Sequence, residues 1–129
     1  NPAVIVDGAH NPQGAAALLE SLDTLFPGRK INFIVGVLAD KDYSSTIELT
    51  MPHAKCFYTV TPPNKRALSA DKLALEIKKH GDAPVYFYGS IPSAIDAVLS
   101  SVTADDVICI FGSLYQVGEV RSYFGRDKF

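Results

Sequence analysis

The sequence contains neither a G-x-x-x-x-G-K-[ST] segment nor a G-x-G-x-x-G segment. The first absence means that the chain carries no phosphate-cradling P-loop, and the second argues against a dinucleotide dehydrogenase. There is no basic run, and the aromatics sit inside apolar stretches, so nothing points to a nucleic-acid surface. No apolar run approaches the length of a membrane span, and no signal-peptide pattern is visible. The histidines, His10, His53 and His80, are scattered without metal-ligand spacing. Cysteine is scarce: Cys56 and Cys109 each lie within an apolar stretch, AKCFYTV and VICIF. Two small buried core residues are expected, rather than a disulfide or a metal site. That usage fits a reducing cytoplasm.

What is present is an ordinary globular composition. Hydrophobic residues make up 47% and charged residues 20%, with a formal charge of −2. A length of 129 residues suffices for one domain with a single core. The first residue is Asn1 rather than methionine, and a strand begins almost at once. The expectation is therefore a single domain, residues 1–129, cut from a longer protein.

Five short apolar runs recur: AVIV at 3–6, INFIVGVL at 31–38, KCFYTV at 55–60, PVYFY at 84–88 and DVICIF at 106–111. They are rich in β-branched and aromatic residues and do not alternate, as expected of strands buried on both faces of a parallel sheet. Helical spacing fills the gaps. After Pro12 it links Ala15, Leu18, Leu19, Leu22 and Leu25. A weaker pattern covers about 42–50. The next helix is expected to take Ser69 as its N-cap, with Leu68 and Leu73 as a hydrophobic staple, and to stop at Lys78, Lys79 and His80 before Gly81. Ser90 precedes Ile91, Ala94, Ile95, Val98 and Leu99, and a last helix is expected after Gly112. This alternation predicts a three-layer, Rossmann-like α/β domain with a mostly parallel sheet and helices on both faces. One antiparallel edge strand is left open.

In such sheets ligands bind beyond the carboxyl ends of the strands. The unusual polar residues gather there: Asp7, Gly8, His10 and Asn11 after the first strand, Asp40, Lys41 and Asp42 after the second. Asn64, Lys65 and Arg66 follow the third, Gly89 and Ser90 the fourth, and Gly112 and Ser113 the fifth. Asn11 is a good N-cap and Pro12 suits the first helical position, so part of this opening segment simply starts a helix. Gly8 and Gly14 are expected to permit a sharp turn and close helix packing. Asp7 and His10 are not explained by the cap. An acid ending such a strand can accept bonds from ribose hydroxyls, and a histidine beside a helix N-terminus can meet a base or phosphate. Spacing alone leaves nucleotide contact and a structural turn both open. A phospho-acceptor receiver domain is set aside, because its third strand should end in aspartate and this one ends in TVTPPN.

Taken together, DGAHNP, GVLADKD, the RA of NKRAL and GSLYQVGEVR resemble the C-terminal domain of folylpolyglutamate synthase and dihydrofolate synthase, within the Mur ligase superfamily. The resemblance covers essentially the whole chain in the right order. DGAHNP is fairly specific to the folate branch, since the peptidoglycan Mur ligases more often carry tyrosine where Gly8 stands. It implies a Mur ligase C-terminal domain fold and the lid of an ATP-dependent ligase. Such enzymes phosphorylate a carboxylate and then let the amino group of glutamate attack the acyl phosphate. Asp7 and His10 match positions that contact ATP, with Asn11 in the same motif. Lys41 and Arg66 suit a phosphate or the carboxylates of glutamate, against the plainer reading of solvated surface charges. Ser113, opening the last helix, suits either contact with the amino acid or another N-cap. No catalytic residue and no metal ligand is expected within the chain. Magnesium ligands and the P-loop are implied for a covalently linked central domain, with ATP, L-glutamate and a folate or dihydropteroate as partners and a monomeric state. A peptidoglycan Mur ligase, another ATP-dependent amide ligase and a non-catalytic nucleotide-binding module stand as alternatives.

Overall fold

The computed structural model describes residues 2–9 and 11–112. Nine regular elements alternate in the expected order: β1 (Ala3–Asp7), α1 (Pro12–Leu25), β2 (Ile31–Gly36), α2 (Tyr43–Thr50), β3 (Ala54–Thr59), α3 (Ala70–Lys78), β4 (Val85–Phe87), α4 (Ile91–Ser101) and β5 (Val107–Gly112). A single 3-10 turn, Met51–His53, joins α2 to β3. The helix expected after Gly112 lies outside the described residues.

The five strands form one sheet in the order β1-β5-β2-β3-β4, and every pairing is parallel. The antiparallel edge strand left open by the sequence does not occur among the described residues. Chain direction explains where the helices lie. From β1 through β4 the chain moves the same way across the sheet, and α1, α2 and α3 all cover one face. Their Leu18, Leu19, Leu22, Ile47, Leu73 and Ile77 pack with Phe33, Phe57, Cys109 and Phe111. The connection from β4 to β5 runs back across the sheet. A crossover of unchanged hand must then lie on the other face, and there α4 packs Ile91, Ala94, Ile95 and Val98 against Ile34, Tyr58, Ile108 and Ile110.

The central strands β2 and β5 are buried along their whole length. This accounts for their unbroken apolar runs, because each face meets a helical layer. Phe33 organises the larger cluster, stacking on Phe57 with ring centroids 5.5 Å apart and meeting Phe111 edge-on at 5.5 Å. The outer runs are a correction. β1 is half-buried throughout, and β4 exposes Tyr86 and Phe87, because these two are the edge strands. Two helical positions also differ from expectation: Leu25 is exposed near the end of α1, and Leu99 is exposed on α4.

The caps show which local signals were used. Ser90 and Ser93 form a reciprocal capping box at the start of α4. Ser69 occupies the N-cap position of α3, but its hydroxyl makes no cap bond. Thr61 supplies it instead, its Oγ1 accepting from the backbone N–H of Ala70 at 2.8 Å. Thr59 donates its hydroxyl to the Ala70 carbonyl at 2.7 Å, so the helix start is anchored to the end of β3. After α1 the chain turns at Gly28, whose φ of 74° lies in the left-handed region that favours glycine.

Candidate functional site

All five strands point their carboxyl ends to one edge, where the described polar loops leave the sheet. At β1, the Oδ1 atom of Asp7 accepts from the backbone N–H of Ala9 at 2.8 Å. This side-chain turn, rather than a left-handed glycine, redirects the chain. Among the described glycines those with positive φ are Gly28 and Gly112, so the chain passes Gly8 without the left-handed conformation. Asn11 is the N-cap of α1, its Oδ1 accepting from Gly14 at 2.8 Å. A methyl group on Gly14 would lie 3.4 Å from Ala9 and from Asn11 Oδ1, a close but ordinary contact. His10 and Ser113 lie outside the described residues.

Register brings Asp7 beside Phe111 of β5, and Gly112 stands opposite Gly36 of β2. The two central strands therefore end in paired glycines, and the middle of the edge carries no side chain from either. The carboxylate of Asp7 is felt beneath this edge. Burial raises the pKa of the Cys109 thiol, and the negative charge of Asp7 raises it further.

The loops after β2 and β3 are knitted into one unit. Leu68 donates its backbone N–H to Val37 at 3.0 Å and Ala39 donates to Arg66 at 2.7 Å, around an antiparallel bridge between Leu38 and Ala67. This is why β2 ends before the predicted residue 38, although Val37 and Leu38 remain buried. Within the unit, Arg66 Nη1 donates to Asp40 Oδ2 at 2.9 Å. Lys41 is exposed in the same loop. Asp42 is the N-cap of α2, its carboxylate accepting from Ser45 at 3.2 Å.

The predicted site residues thus fall into two groups. Asp7 and Asn11 stand at β1, and Lys41 and Arg66 stand at β2 and β3. β1 lies two spacings from β2 and three from β3, about 10 and 14 Å, so a ligand meeting both groups would cross the paired glycines. Asp40 is the residue that sequence reasoning missed as a partner. Its only signal was an acid beside Lys41 at one strand end and a base at another, and nothing in sequence says that these strands are neighbours. Among the described residues no cluster of three or more His, Cys, Asp or Glu could hold a metal ion.

A five-stranded parallel sheet between helical layers, with a polar carboxyl edge and glycines paired at the ends of its two central strands, defines a domain of the Rossmann-like α/β class. More narrowly, the chain belongs to the Mur ligase, glutamate ligase domain family, whose model it matches over residues 1–114. It is 37% identical over 122 residues to the folylpolyglutamate synthase of Lacticaseibacillus casei, covering 93% of this chain and 26% of that protein. It is 32% identical over 140 aligned residues to the dihydrofolate synthase/folylpolyglutamate synthase of Mycobacterium tuberculosis, covering 98% of this chain and 29% of that protein. The crystal structure of Mycobacterium tuberculosis folylpolyglutamate synthase complexed with ADP and AMPPCP matches with a TM-score of 0.84 at 32% identity, over 96% of this chain and 30% of that one. The resemblance drawn from DGAHNP and its companion segments is borne out. The chain spans less than a third of the length of each of these relatives.

Proposed function

We propose that this chain is the C-terminal lid domain of a longer, cytoplasmic, ATP-dependent folate–glutamate ligase, either a folylpolyglutamate synthase, a dihydrofolate synthase or both. In that reaction the γ-phosphoryl group of ATP passes to a substrate carboxylate, giving an acyl phosphate and ADP. The amino group of glutamate attacks the acyl carbon, phosphate leaves, and the nitrogen gives up a proton as the amide forms. The observation that carries the reading is the polar carboxyl edge of a parallel sheet in a chain without a P-loop. Such an edge can grip a nucleotide and an amino acid, but another domain must supply the phosphate cradle, as a closing lid requires.

Within that division of labour Asp7 suits the ribose hydroxyls, with His10 and Asn11 from the same DGAHNP motif as further ATP contacts. Lys41 and Arg66 suit anionic oxygens, the phosphates of ATP or the carboxylates of glutamate, and Ser113 suits the amino acid. Magnesium would be held by the linked domain. The enzyme is read as a monomer.

The test is glutamate-dependent ADP release by the full-length protein offered dihydropteroate, a monoglutamyl folate or a UDP-muramyl peptide. Release with either pteridine is expected, and the pattern names the step. Release only with the muramyl acceptor would move the protein to the peptidoglycan branch, and silence with all three would leave a nucleotide-binding module.

A further inference from the structure

Arg66 lies on the surface, yet its backbone N–H, its carbonyl and one guanidinium nitrogen are all held by hydrogen bonds. Its backbone N–H donates to Asn64 Oδ1 at 2.8 Å, closing a side-chain turn. Its carbonyl accepts from Ala39 at 2.7 Å. Its guanidinium donates through Nη1 to Asp40 Oδ2 at 2.9 Å, yet the side chain remains 58% exposed. A surface ion pair of this kind adds little to stability, because solvent screens it and side-chain entropy opposes it. Such restraint instead pre-orders a planar fork of five donors before a ligand arrives.

We propose that Asp40 is a positioning residue: it holds the guanidinium of Arg66 at the carboxyl edge so that the remaining donors receive an anionic oxygen group of a substrate. This rests on the reading of Arg66 as a substrate contact under the proposed function. The geometry favours positioning over neutralisation. A carboxylate that saturates arginine does so with two parallel bonds, whereas the Asp40 bond engages Nη1. The knitted loops make the pairing local as well. The Ala39–Arg66 bond sets Asp40 beside the arginine whichever way the rest of the edge is occupied.

The experiment measures kcat, KM for glutamate, KM for ATP and thermal midpoint in the full-length ligase and its Asp40→Ala, Asp40→Glu and Arg66→Lys variants. Asp40→Ala, which removes the acceptor, is expected to raise one of the two KM values about tenfold, the loss of an oriented charge-assisted contact. Its kcat and thermal midpoint should stay near wild type, and Asp40→Glu should recover most of the affinity. A rise for glutamate identifies a carboxylate as the anion received, and a rise for ATP identifies a phosphate. If Arg66→Lys raises KM but Asp40→Ala does not, the positioning role falls and the substrate role of Arg66 stands. If neither variant moves either KM, the role of Arg66 and the positioning role fall together. A wild-type protein without ligase activity would overturn the proposed function itself.

Discussion

Asn32 and Cys56 are joined across β2 and β3 by a hydrogen bond of 3.2 Å in which the thiol donates to the amide oxygen. The amide nitrogen of Asn32 donates in turn to the carbonyl of Val107 in β5 at 3.1 Å. One buried side chain thus ties together three strands whose other contacts are largely apolar and non-directional. It supplies a directional preference for one register, since a one-residue slip would turn every side chain to the wrong face. Asn32→Ala should therefore cost about 1–3 kcal/mol, leaving the buried Cys56 thiol without its acceptor. The check is urea unfolding, where the midpoint should drop at unchanged slope. A midpoint equal to wild type would remove Asn32 from the account of strand registration.

The thiols themselves should be inert. Burial raises the pKa of Cys56 despite a counteracting hydrogen bond from Tyr58, and burial raises that of Cys109. The thiolate is the reactive form, so both sites lose nucleophilicity along with access. Reaction of the native protein with an aromatic disulfide reagent is expected to be slow. Denaturation should then release both equivalents. Rapid modification of one thiol in the native state would contradict the burial of Cys56 and Cys109.

Asp106 gives the fold an acid-sensitive contact. Its pKa is lowered first by the Lys55 ammonium, 2.8 Å from Oδ1, and then by the backbone N–H of Thr103, 2.8 Å from Oδ2. The folded carboxyl therefore holds its proton less readily than the unfolded one. Its contribution is complete above the ordinary aspartate value of about 4 and is lost as pH falls through the lower folded value. Asp106→Asn should lower stability at pH 7 and flatten the decline below about pH 4, as followed by thermal midpoints across that range. Parallel curves for the variant and wild type would show that other carboxylates govern acid lability.

Asp7 has both a structural and a proposed functional part, and two substitutions separate them. Asparagine keeps an oxygen that can accept from the Ala9 N–H, whereas alanine removes it. Asp7→Asn should hold its thermal midpoint and weaken ATP use in the full-length protein, by about 1.5–3 kcal/mol if a charge-assisted bond is lost. Asp7→Ala should lose stability as well. ATP kinetics for Asp7→Asn matching wild type would confine Asp7 to the turn.

Much of this fold is written locally. Asn11-Pro12, Ser90 and the apolar spacing between them and the next strand specify helix starts through bonds that reach three residues along the chain. The five apolar runs mark five strands for the same reason, since β-branched and aromatic side chains suit a pleated surface wherever it stands. The motif DGAHNP and its companions likewise carried the family, because the loop residues at the strand ends are contiguous in sequence. Strand order was not legible. AVIV and DVICIF look alike as strings, yet β1 is a half-buried edge and β5 is fully enclosed. Only the return of the chain from β4 to a slot between β1 and β2 makes that difference. The same holds for Thr61 capping a helix in place of Ser69, and for Asp40 meeting Arg66 across 26 residues. Local hydrogen bonds and side-chain shape are decided within a few residues, whereas burial and cross-loop pairing depend on which strands become neighbours, and that is a property of the whole packed sheet.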